Sequence, residues 1–341
     1  MTVTTTPLAG ATAGFVPEIE ARLHLVAPYP SYSAIPTDLQ EQWKAPYGPP
    51  EAWDLEIVDA QVPGPHGDVP IRIYRPRTPT PEGGRPGLVW LHGGAFAFGD
   101  LDMPEADATA RGVAGRADAV VVSVDYRLCP APAALGGSGA DRVDERGEPV
   151  AFPVPHDDCL AAFEAVRERV VELGVDPARL AIGGASAGGC LAAGAALRLT
   201  DEGRAPWQLL LVYPVLHPVL PAPSPELVEA LATVPPALLF PSEARDQIDS
   251  TYLGGRPATP YAYAGTADDL SGLPPTYVEN AQFDVLRASG ERFAEQLAHA
   301  GVEVETCLRE GVPHGHLDSV GLDAAAATFD TLARRLSRRD G

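Results

Sequence analysis

Apolar residues along this chain gather into short runs with helical stretches between them. Gly87–Leu91, Ala119–Val124, Leu180–Ile182, Gln208–Tyr213, Pro275–Glu279 and Val302–Leu308 are brief and rich in apolar or β-branched residues, as buried strands are. Between them the apolar positions take helical spacing. Met103–Arg116 is one such stretch. His156–Leu173 is another, with Leu160, Phe163, Val166 and Val170 on one face and Gly174 as the stop. An Ala-rich stretch follows Ser186, Val285–Ala300 closes at Gly301, and Leu322–Leu336 carries basic residues in its last turn. Asp54–Val62 and Val69–Tyr74 alternate instead, which predicts an antiparallel pair turned at Gly64–Gly67. Thr78–Arg85 reads as a loop, and Asp176-Pro177 as the turn into the Leu180 strand. Strands alternating with helices predict an α/β fold, a largely parallel sheet covered on both faces. Ligands of such sheets bind beyond the carboxyl ends of the strands.

Three stretches fall outside that alternation. Residues 1–50 are rich in Pro and aromatics, with short helices expected at Val16–Ala27 and Thr37–Lys44 and no strand. They read as a separate cap layer over a main body of residues 51–341, and the Pro-rich residues 214–262 as a second contribution to it. Residues 131–151 are polar, Gly-rich and acidic, and read as a mobile inserted loop that leaves from the strand-end side.

Composition narrows the classes. The 341 residues carry a formal net charge of −21, with 45% hydrophobic and 21% charged residues, the profile of a globular protein. So acidic a surface argues against nucleic acid and anionic membrane as partners. No run approaches the roughly 18 apolar residues of a membrane span, and the N-terminus lacks the basic and apolar regions of a signal peptide. Cys129, Cys159, Cys190 and Cys307 lie far apart with no C-x-x-C, which fits free thiols in a reducing compartment. A cytoplasmic protein is expected.

The chemistry is concentrated at the strand ends. Gly184-Ala185-Ser186-Ala187-Gly188 fits G-x-S-x-G, a sharp strand-to-helix turn that raises a nucleophilic Ser. A Ser hydroxyl needs a base, the base an orienting acid, and the developing oxyanion N–H donors. His314, in a loop after the last strand, is the candidate base, with His316 in reserve. His24, His66, His156, His217 and His299 are read as structural. Asp284, after a strand and at a helix start, is the candidate acid, ahead of Glu279 and Asp318. Gly93 and Gly94, following His92 at a strand end, offer unshielded amides, and Ala187 a third. Phe96, Phe98, Tyr126 and Tyr213 lie near these positions and suggest an apolar pocket. The order Ser, acid, His is that of the elbow fold.

These pieces resemble the hormone-sensitive-lipase-like branch of the α/β-hydrolases, the HGGG-type bacterial carboxylesterases. The resemblance runs from about Gly87 to the C-terminus and rests on LHGGAFAFGD (Leu91–Asp100), VDYRLCP (Val124–Pro130), GGASAGG (Gly183–Gly189), FDVLR (Phe283–Arg287) and HGH (His314–His316). It implies a mostly parallel eight-stranded sheet under a helical cap. It also implies Ser186 as nucleophile, Asp284 as orienting acid, His314 as base, and an oxyanion hole of Gly93, Gly94 and Ala187. The departures are Ala95 for the third Gly, Val285 where Pro is frequent, His316 where Phe is frequent and counted here with the pocket, and the 131–151 insertion. The implied activity is hydrolysis of short- to medium-chain or aromatic carboxylic esters through an acyl-enzyme, with no cofactor and no metal. A homodimer is common in the family. Acyl transfer, amidase or lactonase chemistry on the same residues is the alternative, as is a non-catalytic receptor on this scaffold.

Overall fold

The computed structural model describes residues 4–5, 14–137, 142–144 and 147–338. Its strands are β1 (Thr4–Thr5), β2 (Leu55–Val62), β3 (Val69–Pro76), β4 (Arg85–Leu91), β5 (Val120–Val124), β6 (Val175–Ala185), β7 (Leu209–Val212), β8 (Thr276–Phe283) and β9 (Val304–Pro313). They form one sheet in the order β1-β9-β8-β7-β6-β4-β5-β3-β2. β3 runs antiparallel to β2 and β5, and every other neighbouring pair is parallel. Eight strands make the expected sheet. The ninth, β1, pairs two residues with β9 in a segment where the sequence predicts no strand. Two residues are too few to leave a periodicity.

The helices are α1 (Pro17–Glu20), α2 (Thr37–Lys44), α3 (Pro104–Ala117), α4 (Val154–Glu168), α5 (Val170–Leu173), α6 (Ala187–Asp201), α7 (Pro225–Leu231), α8 (Ser242–Leu253), α9 (Arg287–His299) and α10 (Asp323–Leu336). Strand side chains alternate between two cores. Val89, Leu91, Val122, Val124, Ile182 and Leu211 pack with α4, α6 and α9 on one face. Leu88, Trp90, Val121, Ala181, Leu210 and Val212 pack with α3 and α10 on the other. Burial on both faces is why the parallel strands read as apolar runs and not as alternating ones.

Several element boundaries differ from expectation. The helix expected over 156–173 breaks at Arg169, between α4 and α5. Asp176-Pro177 is no separate turn. The pair Arg85↔Val175 precedes Gly87↔Leu180, so residues 176–179 bulge out within β6. Arg85 leaves the expected loop for β4, its buried guanidinium held by Thr78, Thr80 and Asp118. β8 and β9 run on past Glu279 and Leu308, and this extension carries Asp284 and His314 to the rim of the sheet.

The N-terminal segment lies over that rim. The Val16 N–H donates to Gly311 O (2.8 Å), the Tyr47 N–H donates to Val320 O (2.8 Å), and Phe15 packs against Phe283 with ring centroids 4.2 Å apart. Leu25, Val26 and Ile35 share a small apolar cluster with Ala237. Of the insertion, Ala133–Leu135 form a 3-10 turn. Arg142 donates to the carbonyls of Ala97 and Cys129. The expected mobility of residues 138–141 and 145–146 lies outside the described residues. Cys129, Cys159 and Cys190 are buried free thiols, and Cys307 is half-buried. Among the described residues no helix is long and apolar enough to cross a membrane.

Candidate active site

β6 ends at Ala185 and α6 begins at Ala187, so Ser186 alone makes the turn, at φ 54° and ψ −118°. A non-glycine residue there carries on the order of 1–3 kcal/mol of strain, held by the surrounding packing. Gly188 shows how tight that packing is. A Cβ added to it would overlap the carbonyl oxygens of Leu91 and His92 at the end of β4. The register Leu91↔Gly184 sets the loop after β4 directly beside Ser186.

His314 reaches Ser186 from the far side of β7 and β8. Its Nε2 lies 2.9 Å from Ser186 Oγ, and its Nδ1 lies 2.7 Å from Asp284 Oδ2. The other oxygen of Asp284 accepts the Leu286 N–H at 2.9 Å. With Nδ1–H donating to the carboxylate, Nε2 is left as the acceptor that a general base needs. Burial pulls the His314 pKa down. Asp284 in contact, and the charges of Glu105 and Asp318 behind it, outweigh burial and leave it above the ordinary imidazole value.

The loop after β4 corrects one expected donor. The Gly93 N–H donates to Glu105 Oε1 and is not free for a ligand. Gly94, Ala95 and Ala187 line the cavity, and Gly93 does not. Gly93 is glycine for another reason: a Cβ there would press on Ser186 Cβ and the Glu105 carboxylate. Gly94, Ala95 and Phe96 have φ of 109°, 53° and 60°, three successive residues at positive φ. His92 Nδ1–H donates to Gly93 O (2.7 Å), and the Tyr126 hydroxyl to His92 O (2.7 Å).

Above these groups lies a cavity of about 720 Å³, within the usual range for small-molecule sites. Of the expected pocket residues, Phe96, Phe98 and His316 line it. Tyr126 and Tyr213 do not. Tyr126 is buried behind the cavity, stacked on His92. Tyr213, at φ 38°, turns its ring under His314 (centroids 4.8 Å apart) and donates its hydroxyl to Glu105 Oε2 (2.6 Å). His316 is no reserve base. Its Nε2 donates to Thr328 Oγ1 (3.1 Å), which itself donates to buried Glu279. Glu279 is paired with Arg309 (2.7 Å) and is no partner for His314. Asp318 accepts the Glu105 N–H (3.1 Å). Among the histidines read as structural, His217 lines the cavity but is held by Ser289 and Gln296.

Sequence reasoning missed several lining residues: Trp43, Lys44, Glu105, Phe240, Arg245 and Asp249. One signal was available. Lys44 is the only lysine in a chain with 25 basic residues. Among the described residues no group of three or more His, Cys, Asp or Glu could hold a metal ion.

A family model described as the alpha/beta hydrolase fold matches residues 88–135 and 149–318. The chain is 35% identical over 276 residues to esterase LipI of Mycobacterium tuberculosis, covering 80% of this chain and 78% of the relative. It is 34% identical over 291 residues to carboxylesterase NlhH of the same organism, covering 82% and 81%. Among solved structures, a bacterial heroin esterase superposes with a TM-score of 0.74 at 30% identity, covering 95% of this chain and 98% of the other. An esterase of Pyrobaculum calidifontis superposes with a TM-score of 0.69 at 28% identity, covering 94% and 90%.

Proposed function

We propose that this chain, which belongs to the hormone-sensitive-lipase-like branch of the alpha/beta hydrolase family and is a carboxylesterase, cleaves its ester through an acyl-enzyme on Ser186. The observation that carries the assignment is the pair of contacts at His314, 2.9 Å to Ser186 Oγ and 2.7 Å to Asp284 Oδ2. Ser186 Oγ attacks the ester carbonyl carbon while His314 Nε2 takes the hydroxyl proton. Asp284 holds the ring and stabilises the imidazolium. The oxyanion receives N–H bonds from Gly94, Ala95 and Ala187. His314 then gives its proton to the departing alcohol, and a water deprotonated by the same nitrogen releases the acid.

The cavity supports a small apolar ester. Trp43, Phe96, Leu238, Phe240, Ile248 and Leu286 line it, and the rings of Phe240 and His314 stand nearly perpendicular with centroids 5.1 Å apart. Residues 14–50 and 214–262 act together as its cap, and Ala134–Gly136 of the insertion form part of the wall. Short- to medium-chain acyl groups and aromatic esters fit such a space. A fluorophosphonate is expected to label wild-type protein once, at Ser186, and to leave Ser186→Ala unlabelled. In a p-nitrophenyl ester series, kcat/KM is expected to peak between butyrate and octanoate and to fall at palmitate. Labelling elsewhere, or near-normal turnover by Ser186→Ala, would overturn the assignment.

A further inference from the structure

We infer that Glu105 is a positioning residue for ester cleavage: its buried carboxylate clamps the loop that carries the oxyanion donors and ties that loop to the floor beneath His314. Glu105 stands in the first turn of α3 and is 2% exposed. Its own backbone is fixed at both ends, the N–H by Asp318 Oδ1 (3.1 Å) and the carbonyl by Trp90 Nε1–H (3.0 Å). From that anchor the two carboxylate oxygens reach in different directions. Oε1 accepts the Gly93 N–H, and Oε2 accepts the Tyr213 hydroxyl at 2.6 Å. Tyr213 in turn packs under the His314 ring.

The loop needs such a clamp. Gly94, Ala95 and Phe96 all sit at positive φ, and two of the three pay a steric penalty that relaxed chain would release. A charge-assisted bond to the amide just before them is about twice as strong as a neutral one. Gln replaces it poorly. With its oxygen on Tyr213, its NH2 meets the Gly93 N–H, donor against donor; with its oxygen on Gly93, its NH2 donates to the Tyr213 hydroxyl, whose own proton then loses its buried acceptor. The amides of Gly94 and Ala95 would drift from the place where the oxyanion forms, with the substrate still bound.

This inference rests on the acyl-enzyme reading, and the test separates the two. Wild type, Glu105→Gln and Glu105→Asp are compared after counting active sites by fluorophosphonate labelling of Ser186. Per labelled site, kcat for p-nitrophenyl butyrate is expected to fall about 10- to 100-fold in the Gln variant, short of the loss on deleting a donor outright. KM should stay within about threefold, because the ground state barely uses these donors. Affinity for a trifluoromethyl ketone, whose Ser186 adduct bears an oxyanion, should fall by the same factor as kcat. Glu105→Asp keeps the charge on a shorter arm. Should the Gln variant not fold, kcat of the Asp variant should still fall at least about fivefold. Unchanged kcat and ketone affinity per labelled site, whatever the change in Tm, would overturn the inference. Failure of wild type to label at Ser186 would instead overturn the acyl-enzyme reading.

Discussion

Asp284→Asn changes one atom and is expected to disable the proposed cycle by misplacing a proton. Asp284 Oδ1 accepts the Leu286 N–H (2.9 Å), and Oδ2 faces His314 Nδ1 (2.7 Å). An Asn that keeps its oxygen on Leu286 turns its NH2 toward His314. The imidazole must then accept at Nδ1, which places its proton on Nε2, facing Ser186. Flipping the amide restores the working tautomer but sets NH2 against the Leu286 N–H, a buried donor left unpaired at about 1–3 kcal/mol. The carboxylate charge is lost as well. Beside an imidazolium about 4 Å away it contributes about 4 kcal/mol at an effective dielectric constant near 20. Together these terms raise the barrier by about 5–7 kcal/mol, a loss of about 10⁴-fold or more. Because Asn is isosteric and Asp284 is buried, circular dichroism and Tm should stay close to wild type. The assay is kcat for p-nitrophenyl butyrate, with contamination excluded by an active-site tagged preparation. A loss under a hundredfold in a folded variant would refute the roles given to Asp284 and His314.

Two further outcomes follow from the same geometry. The acid limb of kcat/KM should lie above the ordinary imidazole value of about 6.5, because the His314 pKa is raised and only its neutral form takes a proton. The stability that this group adds is complete below its unfolded pKa and is lost as pH rises through the folded one. A pH–rate profile with its acid limb below that value would contradict this. Gly188→Ala should lower both activity and Tm, since its Cβ overlaps backbone carbonyls of Leu91 and His92 that cannot swing away. Gly14→Ala, with nothing within 4 Å, is the control, and equal Tm values for the two variants would show the packing argument to be wrong.

What could be read from the sequence was whatever depended on local sterics and strand ends. Ser186, Asp284 and His314 each follow an apolar run, and small residues beside Ser186 advertise a tight turn. Contacts between distant segments left no such mark. Which amide of the His92–Phe96 loop is free depends on a carboxylate twelve residues on, in an ordinary acidic first turn of a helix. Tyr213 follows its strand as a pocket residue would, yet its positive φ sends the ring beneath the site. The strand expected over 275–279 ends at Glu279. In the fold that charge is buried with Arg309, Thr328 and the Tyr277 hydroxyl. Burial alone would raise its pKa, but Arg309 holds it well below the usual carboxylate range, and the strand continues through it.

The electrostatics of the site pose a conflict that its geometry resolves. Asp284, Glu105 and Asp318 all bear on His314, and negative charge on them favours the imidazolium of the proposed cycle, although burial pushes Glu105 upward and burial with the Glu105 charge pushes Asp318 up to about 7. The same charges would oppose an oxyanion arising at the same moment. Each carboxylate is instead turned to a donor of its own. Asp284 meets Nδ1–H on the side of the ring away from Ser186. Glu105 meets Gly93 and Tyr213, and Asp318 meets the Glu105 amide at the N-terminal end of α3, where the helix dipole favours negative charge. Glu105 and Asp318 border the cavity with these bonds in place, and the backbone of Gly94, Ala95 and Ala187, the last at the N-terminal end of α6, lines it beside Ser186. In the proposed cycle the carboxylates act on the base with donors already bound to them, while the N-terminal dipole of α6 faces the carbonyl. On this reading the buried acids favour the protonated base, and the donors bound to them blunt their effect on the place where the substrate's own charge develops.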